Sequence, residues 1–228
     1  MYIIGLTGNI ATGKSTVSAM LAELGAHVID ADALVHTLQQ RGQPVYTAIV
    51  AEFGPGILRP GGEIERGRLG ARVFADPAEL ARLEAIVHPA VNQEIEYQIA
   101  NIKSQIATAP AEGEGQKHAR ATGRSEPETL NLKPETGIVV IEAIKLIETG
   151  RHASCQALWV VTAPYQVQLD RLMRRRGLGE AEARLRIEAQ PPQADKIALA
   201  DVVIDNGGDM AYTRRQVIEN WEEIRKRL

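Results

Sequence analysis

Apolar residues along the chain occur either in short continuous runs or at helical spacing. Residues 2–6 are apolar on both faces, which predicts a buried parallel strand. After a glycine-rich turn, apolar residues recur at helical spacing over residues 17–24, and Gly25 predicts the end of this helix. A second apolar run, residues 27–32, predicts a strand that ends in two carboxylates. This order of elements predicts the start of a doubly wound α/β fold.

The middle of the chain predicts a helical insertion followed by further strands. Residues 33–107 contain no strong strand pattern and are interrupted by a loop rich in Gly and Pro at 53–62. Continuous apolar runs at residues 137–144, 157–163 and 201–205 predict three more strands. Together with the first two, they predict a five-stranded parallel sheet with helices on both faces.

The domain organisation follows from these elements. Residues 1–32 and 137–228 are predicted to form the core, and the helices between about 165 and 190 form a small helical part within it. Residues 108–136 are rich in Gly, Pro, Ala, Glu and Thr and have no apolar period, which predicts a flexible, low-complexity insertion. A tolerated surface insertion and a regulatory or docking segment are both compatible with this composition.

Composition and charge narrow the class of protein. The 228 residues are 44% apolar and 24% charged with a formal net charge of −3, which favours neither nucleic acid nor an anionic membrane as partner. The single cysteine, Cys155, excludes an internal disulfide and a cysteine-based zinc site, as suits a reducing cytosol. No stretch approaches the roughly 20 apolar residues of a membrane span, and no basic leader is present. These observations predict a cytoplasmic protein.

The glycine-rich turn carries the first chemical signal. Residues 8–15, "GNIATGKS", match the P-loop pattern G-x-x-x-x-G-K-[ST] between a strand and a helix. Gly8 and Gly13 allow backbone N–H groups to surround phosphate oxygens at the positive end of the following helix. Lys14 can reach the β and γ phosphates, the Ser15 hydroxyl can bind Mg²⁺, and Thr16 is placed for another phosphate contact.

Several classes of protein use a P-loop, and other features separate them. The Asn-Lys-x-Asp tetrapeptide that GTPases use for guanine does not occur in the chain. An ATP-driven motor usually has a larger body. A small chain with a helical insertion after the second strand and an arginine-rich stretch at 171–176 favours a kinase for a small acceptor.

Asp30 and Asp32 come at the end of the second predicted strand, beside the P-loop. Ligands of open α/β sheets bind at this edge, and two residues in an extended chain two positions apart point to the same side. Asp32 is the candidate for orienting or deprotonating an acceptor hydroxyl. Asp30 is a candidate for substrate contact, with capping of the following helix as the alternative.

Five motifs together resemble the dephospho-coenzyme A kinase family: "LTGNIATGKST", "VIDAD", "HP" at His88, "IETG" and "DVVIDNGG". Their order and spacing are similar over essentially the whole chain except residues 108–136. The resemblance implies a three-layer P-loop kinase fold with a helical acceptor-binding insertion and a small helical lid. It also implies transfer of the ATP γ-phosphoryl group to the 3′-hydroxyl of dephospho-CoA, the last step of coenzyme A synthesis, with Mg²⁺ as cofactor.

The resemblance also implies roles for particular residues. It places Asp32 as general base, His88 in the acceptor site, and Lys14 with Arg175 at the transferring phosphoryl group. The residues implied at ATP are Gly8, Ala11, Thr12, Gly13, Lys14, Ser15, Thr16, Arg171, Arg175, Arg186 and Asn206. From the residues alone, His88 could equally cap a helix on the surface. The basic run at 171–176 could likewise be a solvated helix end or, less consistently with the net charge, a nucleic-acid contact.

The chain departs from the family pattern at two places. Asn9, Ala11 and Thr12 replace Gly, Gly and Ser in the P-loop. At the end of the third strand, Glu142 replaces a shorter carboxylate and Lys145 replaces an apolar residue. Both are assigned to the acceptor site, although Lys145 could contact an acceptor phosphate or point to solvent.

Two rivals to this assignment remain at this point. One is a nucleoside or nucleotide kinase with the same core, since only the insertion distinguishes the acceptors. The other is an ATP-binding switch that transfers nothing. The expected partners are ATP and dephospho-CoA, without nucleic acid or membrane, in a monomer or weak homo-oligomer.

Overall fold

The computed structural model describes residues 1–108 and 137–228, and within them five parallel strands form one sheet in the order β2-β3-β1-β4-β5. The predicted parallel sheet is therefore confirmed. The strands are β1 (Tyr2–Thr7), β2 (His27–Asp30), β3 (Ile138–Glu142), β4 (Ala157–Thr162) and β5 (Val202–Asp205).

Helices occupy both faces of the sheet, as expected from the apolar runs of the strands. They are α1 (Lys14–Glu23), α2 (Ala31–Leu38), α3 (Pro44–Phe53), α4 (Arg66–Ala75), α5 (Pro77–Thr108), α6 (Tyr165–Arg176), α7 (Glu180–Glu188), α8 (Gln193–Ile197) and α9 (Met210–Arg225). Short 3₁₀ turns occupy Pro55–Ile57 and Arg151–Ser154. The predicted elements appear within a few residues of their expected bounds, whereas the short helix α8 was not predicted from the sequence.

The sheet separates two apolar layers. On one face, α1 and α9 bury residues such as Leu21 and Trp221 against the sheet, around the fully buried Trp159 of β4. On the other face, α2 contacts β3 and α5 contacts β2, while α3 and α4 pack on α5. Ile95 of α5 and Ile141 of β3 belong to the apolar cluster of this face. The central strands are covered on both sides, which explains why their sequences are continuously apolar.

The helical insertion is held to the sheet by its longest helix. One stripe of α5 is buried, formed by Val87, Val91, Ile95, Ile99 and Ile102 at helical spacing. The helix starts after Asp76, whose carboxylate accepts a hydrogen bond from the Ala78 N–H, and it continues through Pro89. The helical character of residues 33–107 is thus observed, and their status as a separate domain stays a prediction.

One expectation about local structure was wrong. Strand β2 ends at Asp30, so Asp32 lies in the first turn of α2 and not in an extended segment. Asp30 and Asp32 therefore do not share a strand face. For His88, the capping alternative is excluded, because the residue lies inside α5 and not at a helix end.

The predicted low-complexity insertion, residues 108–136, lies outside the described residues except for Thr108, the last residue of α5. Within the described ranges, none of the helices combines the length and apolar character that crossing a membrane requires.

Candidate active site

The P-loop joins β1 to α1 in a conformation that its glycines make possible. Gly8 has φ +156° and Gly13, the residue before α1, has φ +94°. A Cβ on Gly8 would collide with the carbonyl oxygen of Val161, and one on Gly13 would collide with the side-chain amide of Asn206. The turn is therefore packed closely between β4 and the segment after β5, and both positions require glycine.

Lys14 lies in the first turn of α1 with its ammonium group directed back over the loop. Its Nζ donates a hydrogen bond to the Gly8 carbonyl at 3.3 Å, and the residue is buried. Burial lowers the pKa of Lys14, while the carboxylates of Asp32 and Glu142 oppose that shift. Ser15 follows at the exposed N-terminus of α1, where backbone N–H groups and the helix dipole favour an anion.

The outer part of the loop is held by contacts to the chain that follows α7. The Thr12 hydroxyl donates to the Asn9 carbonyl at 2.9 Å, and Asn9 Nδ2 donates to the Pro191 carbonyl at 3.0 Å. The N–H of Ile10 donates to Gln190 Oε1 at 2.6 Å. Asn9, which departs from the family pattern, therefore attaches the phosphate loop to another part of the core.

Arg171 and Asn206 hold the carbonyl side of the same loop. Arg171 Nη1 donates to the carbonyls of Ala11 and Thr12 at 3.2 and 3.0 Å, and its Nη2 donates to the Asn206 carbonyl at 2.7 Å. Asn206 Nδ2 donates to the Thr12 carbonyl at 2.7 Å and accepts from the Thr213 hydroxyl at 3.0 Å. Both side chains thus fix the shape of the P-loop through its backbone.

The other two predicted lid arginines are more exposed. Arg175 lies one turn after Arg171 on α6, and the two guanidinium groups are close enough that Arg175 contributes to a lowered pKa of Arg171, after the larger effect of burial. Arg186 on α7 forms an ion pair with Glu182 of the same helix at 2.7 Å. The contact of Arg175 and Arg186 with a bound triphosphate stays a prediction.

Three carboxylates approach Lys14 from the ends of β2 and β3. Asp32 Oδ2 accepts a hydrogen bond from the Ile144 N–H at 3.3 Å, and burial raises the Asp32 pKa although the charge of Lys14 opposes the rise. Burial likewise raises the pKa of Glu142, opposed by a hydrogen bond from Ser18 and the charge of Lys14. Asp32 and Glu142 therefore belong to one electrostatic cluster.

Asp30 has a different place in this cluster. Its carboxylate accepts a hydrogen bond from the Ala33 N–H at 2.9 Å, so it caps α2. Its backbone lies opposite Glu142 in the β2–β3 register, and its charge also acts on Lys14. The capping alternative is thus observed, and direct contact of Asp30 with a substrate stays a prediction.

The oxygen atoms at the P-loop suit a metal ion that is bound mainly through phosphate. Among residues 1–108 and 137–228, no group of three or more His, Cys, Asp or Glu side chains forms a metal site. Mg²⁺ usually keeps several water ligands and binds through substrate phosphates and one or two protein oxygens. The exposed Ser15 hydroxyl at the N-terminus of α1 fits this kind of coordination, and it follows Lys14, on which the charges of Asp32 and Glu142 act.

A cavity of about 360 Å³ lies beside this cluster, between α2, α4, α5 and the end of β3. Asp32 lines it, and so does His88 of α5. Most of its wall is apolar, formed mainly by Leu69, Val73, Leu83, Val87, Val91 and Ile95. The cavity thus brings a carboxylate from beside the P-loop into contact with a space large enough for an organic acceptor.

Charged pairs surround the cavity. Lys145 Nζ pairs with Glu84 of α5 at 2.7 Å, and both residues line the cavity. Lys145 therefore contacts the helical insertion. The sequence alone had left open whether its side chain points to the acceptor site or to solvent. Arg151 also lines the cavity and pairs with Glu96 at 2.7 Å. No sequence pattern indicated Arg151, because a single arginine in a turn resembles a solvated surface residue.

The structure reveals a further ion pair near the site, between a buried lysine and an exposed glutamate. Lys196 Nζ, on the unpredicted helix α8, donates to the Ile144 carbonyl at 2.8 Å and to Glu148 at 2.9 Å. Lys196 is buried. Sequence reasoning missed it because a lone lysine near two prolines has no pattern that marks burial.

The fold and the pairing of a phosphate-binding loop with an acceptor cavity define the chain as a P-loop kinase. The family model for dephospho-CoA kinase matches residues 2–112 and 121–211. The chain belongs to the dephospho-CoA kinase family, as its motifs predicted.

Individual relatives agree with this assignment. The chain is 45% identical to the dephospho-CoA kinase of Symbiobacterium thermophilum over 97% of this chain and 80% of that protein. It is 42% identical to the dephospho-CoA kinase of Geobacillus kaustophilus, with 98% of both chains covered. Among solved structures, TT1252 of Thermus thermophilus superimposes with a TM-score of 0.73 at 27% identity, covering 98% of this chain and 97% of that one.

Proposed function

We propose that the chain transfers the γ-phosphoryl group of ATP to the 3′-hydroxyl of dephospho-CoA and so produces coenzyme A and ADP. The observation that carries this proposal is the position of Asp32. Asp32 lines the apolar cavity, and its carboxylate interacts electrostatically with Lys14 of the P-loop. An acceptor hydroxyl at Asp32 would therefore lie between the cavity and the P-loop. Membership of the dephospho-CoA kinase family supports this choice of acceptor.

On the donor side, the P-loop backbone binds the ATP phosphates. Gly8, Ala11, Thr12, Gly13 and Thr16 supply backbone or hydroxyl groups. Lys14 exchanges its hydrogen bond with the Gly8 carbonyl for oxygens of the β and γ phosphates. Arg171 and Asn206 keep the loop in this shape through its carbonyls. They form the floor of the nucleotide site, with Asn206 near the adenine.

The lid is the second part of the donor side. Arg175 and Arg186, on α6 and α7, contact the transferring phosphoryl group after movement of the residues at about 165–190. Fixed cations over the developing charge are the main protein contribution to phosphoryl transfer. For Arg186 this requires exchange of its exposed ion pair with Glu182, which costs little because exposed pairs contribute only about 0–1 kcal/mol.

On the acceptor side, the apolar wall contacts the uncharged parts of dephospho-CoA. His88 and Lys145 line the cavity and contact the polar groups of dephospho-CoA. Lys145 gives up its ion pair with Glu84 and binds an acceptor phosphate oxygen instead. Glu142 and Asp30 complete the acidic edge near the hydroxyl. The insertion of residues 33–107 is accordingly the acceptor-binding domain.

The reaction follows from this arrangement. The 3′-hydroxyl oxygen attacks the γ-phosphorus of ATP while the Asp32 carboxylate accepts the hydroxyl proton. The bond between the γ-phosphorus and the bridging oxygen breaks, and that oxygen leaves with ADP. Lys14 and Arg175 stabilise the charge on the transferring group. Mg²⁺ held at Ser15 would neutralise phosphate charge. Because little covalent chemistry falls to the protein, the relative position of the two substrates dominates the rate.

ATP and dephospho-CoA are water-soluble, so we place the reaction in the cytoplasm. The cavity and P-loop both lie within one chain, and a monomer or weak homo-oligomer therefore suffices for activity.

The test is an ADP-release assay coupled to product identification by mass, with dephospho-CoA, nucleosides and nucleoside monophosphates as acceptors. We expect dephospho-CoA to be the preferred acceptor and the product to be coenzyme A. Preference for a nucleoside or a nucleotide would assign the chain to another kinase class. ATP binding without transfer to any acceptor would identify a switch.

A further inference from the structure

Residues 190–196, here named the connecting segment, contact both halves of the site. At the donor side, Gln190 accepts from the Ile10 N–H and the Pro191 carbonyl accepts from Asn9. At its other end, Lys196 reaches the turn after β3, where it donates to the Ile144 carbonyl at 2.8 Å. The segment therefore connects the phosphate loop to the residue beside the candidate base.

Lys196 is unusual among lysines because only 3% of its surface is exposed. Its Nζ is bound to the Ile144 carbonyl and to Glu148, which uses two of its three N–H donors. A buried ammonium group is costly unless its charge partner and its hydrogen bonds are well placed. The burial of the Lys196 charge therefore indicates that its hydrogen bonds have a role in the protein.

Ile144 is held at both of its backbone polar groups. Its carbonyl accepts from Lys196 and from the Thr7 hydroxyl at 3.1 Å. Its N–H donates to Asp32 Oδ2 at 3.3 Å. A displacement of Ile144 would thus change the hydrogen bond that orients the Asp32 carboxylate.

We propose that Lys196 is a positioning residue for the phosphoryl transfer. It anchors Ile144, and Ile144 holds Asp32 in the orientation that accepts the proton of the acceptor hydroxyl. This inference rests on the proposed function, because it assumes that Asp32 is the base. Both hydrogen bonds of the Lys196 ammonium group are made within the protein, to Ile144 and Glu148, and its charge also acts on Lys14 of the P-loop.

The test compares Lys196→Met with Glu148→Gln, in steady-state kinetics and in amide hydrogen exchange of the peptide that contains Ile144. A misplacement of about 1 Å can reduce a rate about 100-fold, so we expect kcat of Lys196→Met to fall about 30-fold. The KM for ATP should stay within about threefold, because the P-loop contacts remain. Exchange at the Ile144 amide should become about tenfold faster.

Glu148→Gln is the matched control. It removes the charge partner of Lys196 but leaves the bond from Nζ to the Ile144 carbonyl, so we expect kcat within about threefold of wild type. An equal loss in both variants would overturn the inference, because the ion pair and not the Ile144 contact would then matter. Unchanged kcat in Lys196→Met would also overturn it. So would a rise in KM for ATP with kcat retained, which would indicate phosphate contact.

A second variant covers failure of Lys196→Met to fold. Lys196→Gln keeps an N–H donor in a shorter, neutral side chain, and we expect an intermediate loss of kcat with accelerated exchange at Ile144. Wild-type kcat and exchange in this variant would contradict the inference. The two proposals fail separately: without turnover of dephospho-CoA by wild type the proposed function fails, whereas unaltered exchange at Ile144 in the Lys196 variants refutes the positioning role.

Discussion

The donor and acceptor halves of the site are built in different ways. The P-loop is one continuous stretch, and its shape is fixed by glycines and by bonds from Arg171 and Asn206 to its carbonyls. The acceptor cavity is assembled from side chains of α2, α4, α5 and the turn after β3. Backbone binding suits a polyphosphate, which every nucleoside triphosphate shares, whereas a specific acceptor requires a wall of particular side chains. Asp32 and Lys14 lie where the halves meet.

The largest effect is expected from Asp32→Asn, which removes the base at this junction. General-base catalysis contributes about 10²- to 10⁴-fold, so kcat should fall about 1,000-fold in the ADP-release assay while ATP still binds. Asp209→Asn is the control: Asn caps a helix about as well as Asp, so this variant should keep the cap of α9 and most of the turnover. Near wild-type turnover in Asp32→Asn would exclude Asp32 as the base.

Lys14→Ala tests the donor half. Loss of one group that stabilises transition-state charge costs about 10²- to 10³-fold, and we expect that loss in kcat/KM for ATP. Lys226→Ala serves as the control, since Lys226 is exposed and pairs only on the surface with Glu223. Unchanged ATP affinity and rate in Lys14→Ala would refute nucleotide binding at the P-loop.

The pH dependence of kcat should show the environment of Asp32. The base acts as a carboxylate, and burial raises its pKa, so the acid limb should lie above the usual range of carboxyl groups. Below that pKa, kcat should fall about tenfold per pH unit because the neutral form cannot accept the proton. Glu142, whose pKa is also raised, is tested by Glu142→Gln. If kcat of Glu142→Gln no longer fell at low pH, the titrating group would be Glu142 and not Asp32.

Lys145→Ala tests the acceptor half alone. A charge-assisted hydrogen bond contributes about 1.5–3 kcal/mol, so the KM for dephospho-CoA should rise at least about tenfold with kcat within twofold. The KM for ATP should not change. Lys103→Ala is the matched control, because Lys103 is an exposed lysine of α5. Equal KM values in the two variants would show that Lys145 does not contact the acceptor.

The smallest effect concerns Ala11 in the P-loop. Among the described residues it is the non-glycine residue with positive φ, at +59°. Such a conformation costs an L-residue about 1–2 kcal/mol, and glycine relieves this strain. Glycine also makes the unfolded chain more flexible, which offsets part of the gain in stability. Ala11→Gly should therefore raise the free energy of unfolding in urea by about 0.5–1 kcal/mol. The control is Ala19→Gly, on the exposed face of α1, which should lower the free energy of unfolding by a similar amount. If both variants were less stable than wild type, Ala11 would not be strained.

The parts of the fold that repeat a local pattern could be predicted from the sequence. The strands, the P-loop and α6 appeared where the apolar runs and the motif had placed them. Errors arose where tertiary contacts decide. The end of β2 came two residues early because Asp30 caps α2, which puts Asp32 on a helix. Helix α8 was missed because its five residues are too few to show a period.

The sequence by itself determined the donor loop, the layer structure and the family, because each is encoded in residues close together or in periodic apolar positions. Only the tertiary structure decided which distant side chains surround the acceptor cavity. It brought Asp32, Lys145 and Arg151 to that cavity and Lys196 to the Ile144 backbone. It also gave Arg171 a place under the P-loop. These contacts join residues far apart in the chain, and their energy depends on burial and geometry that no local pattern contains.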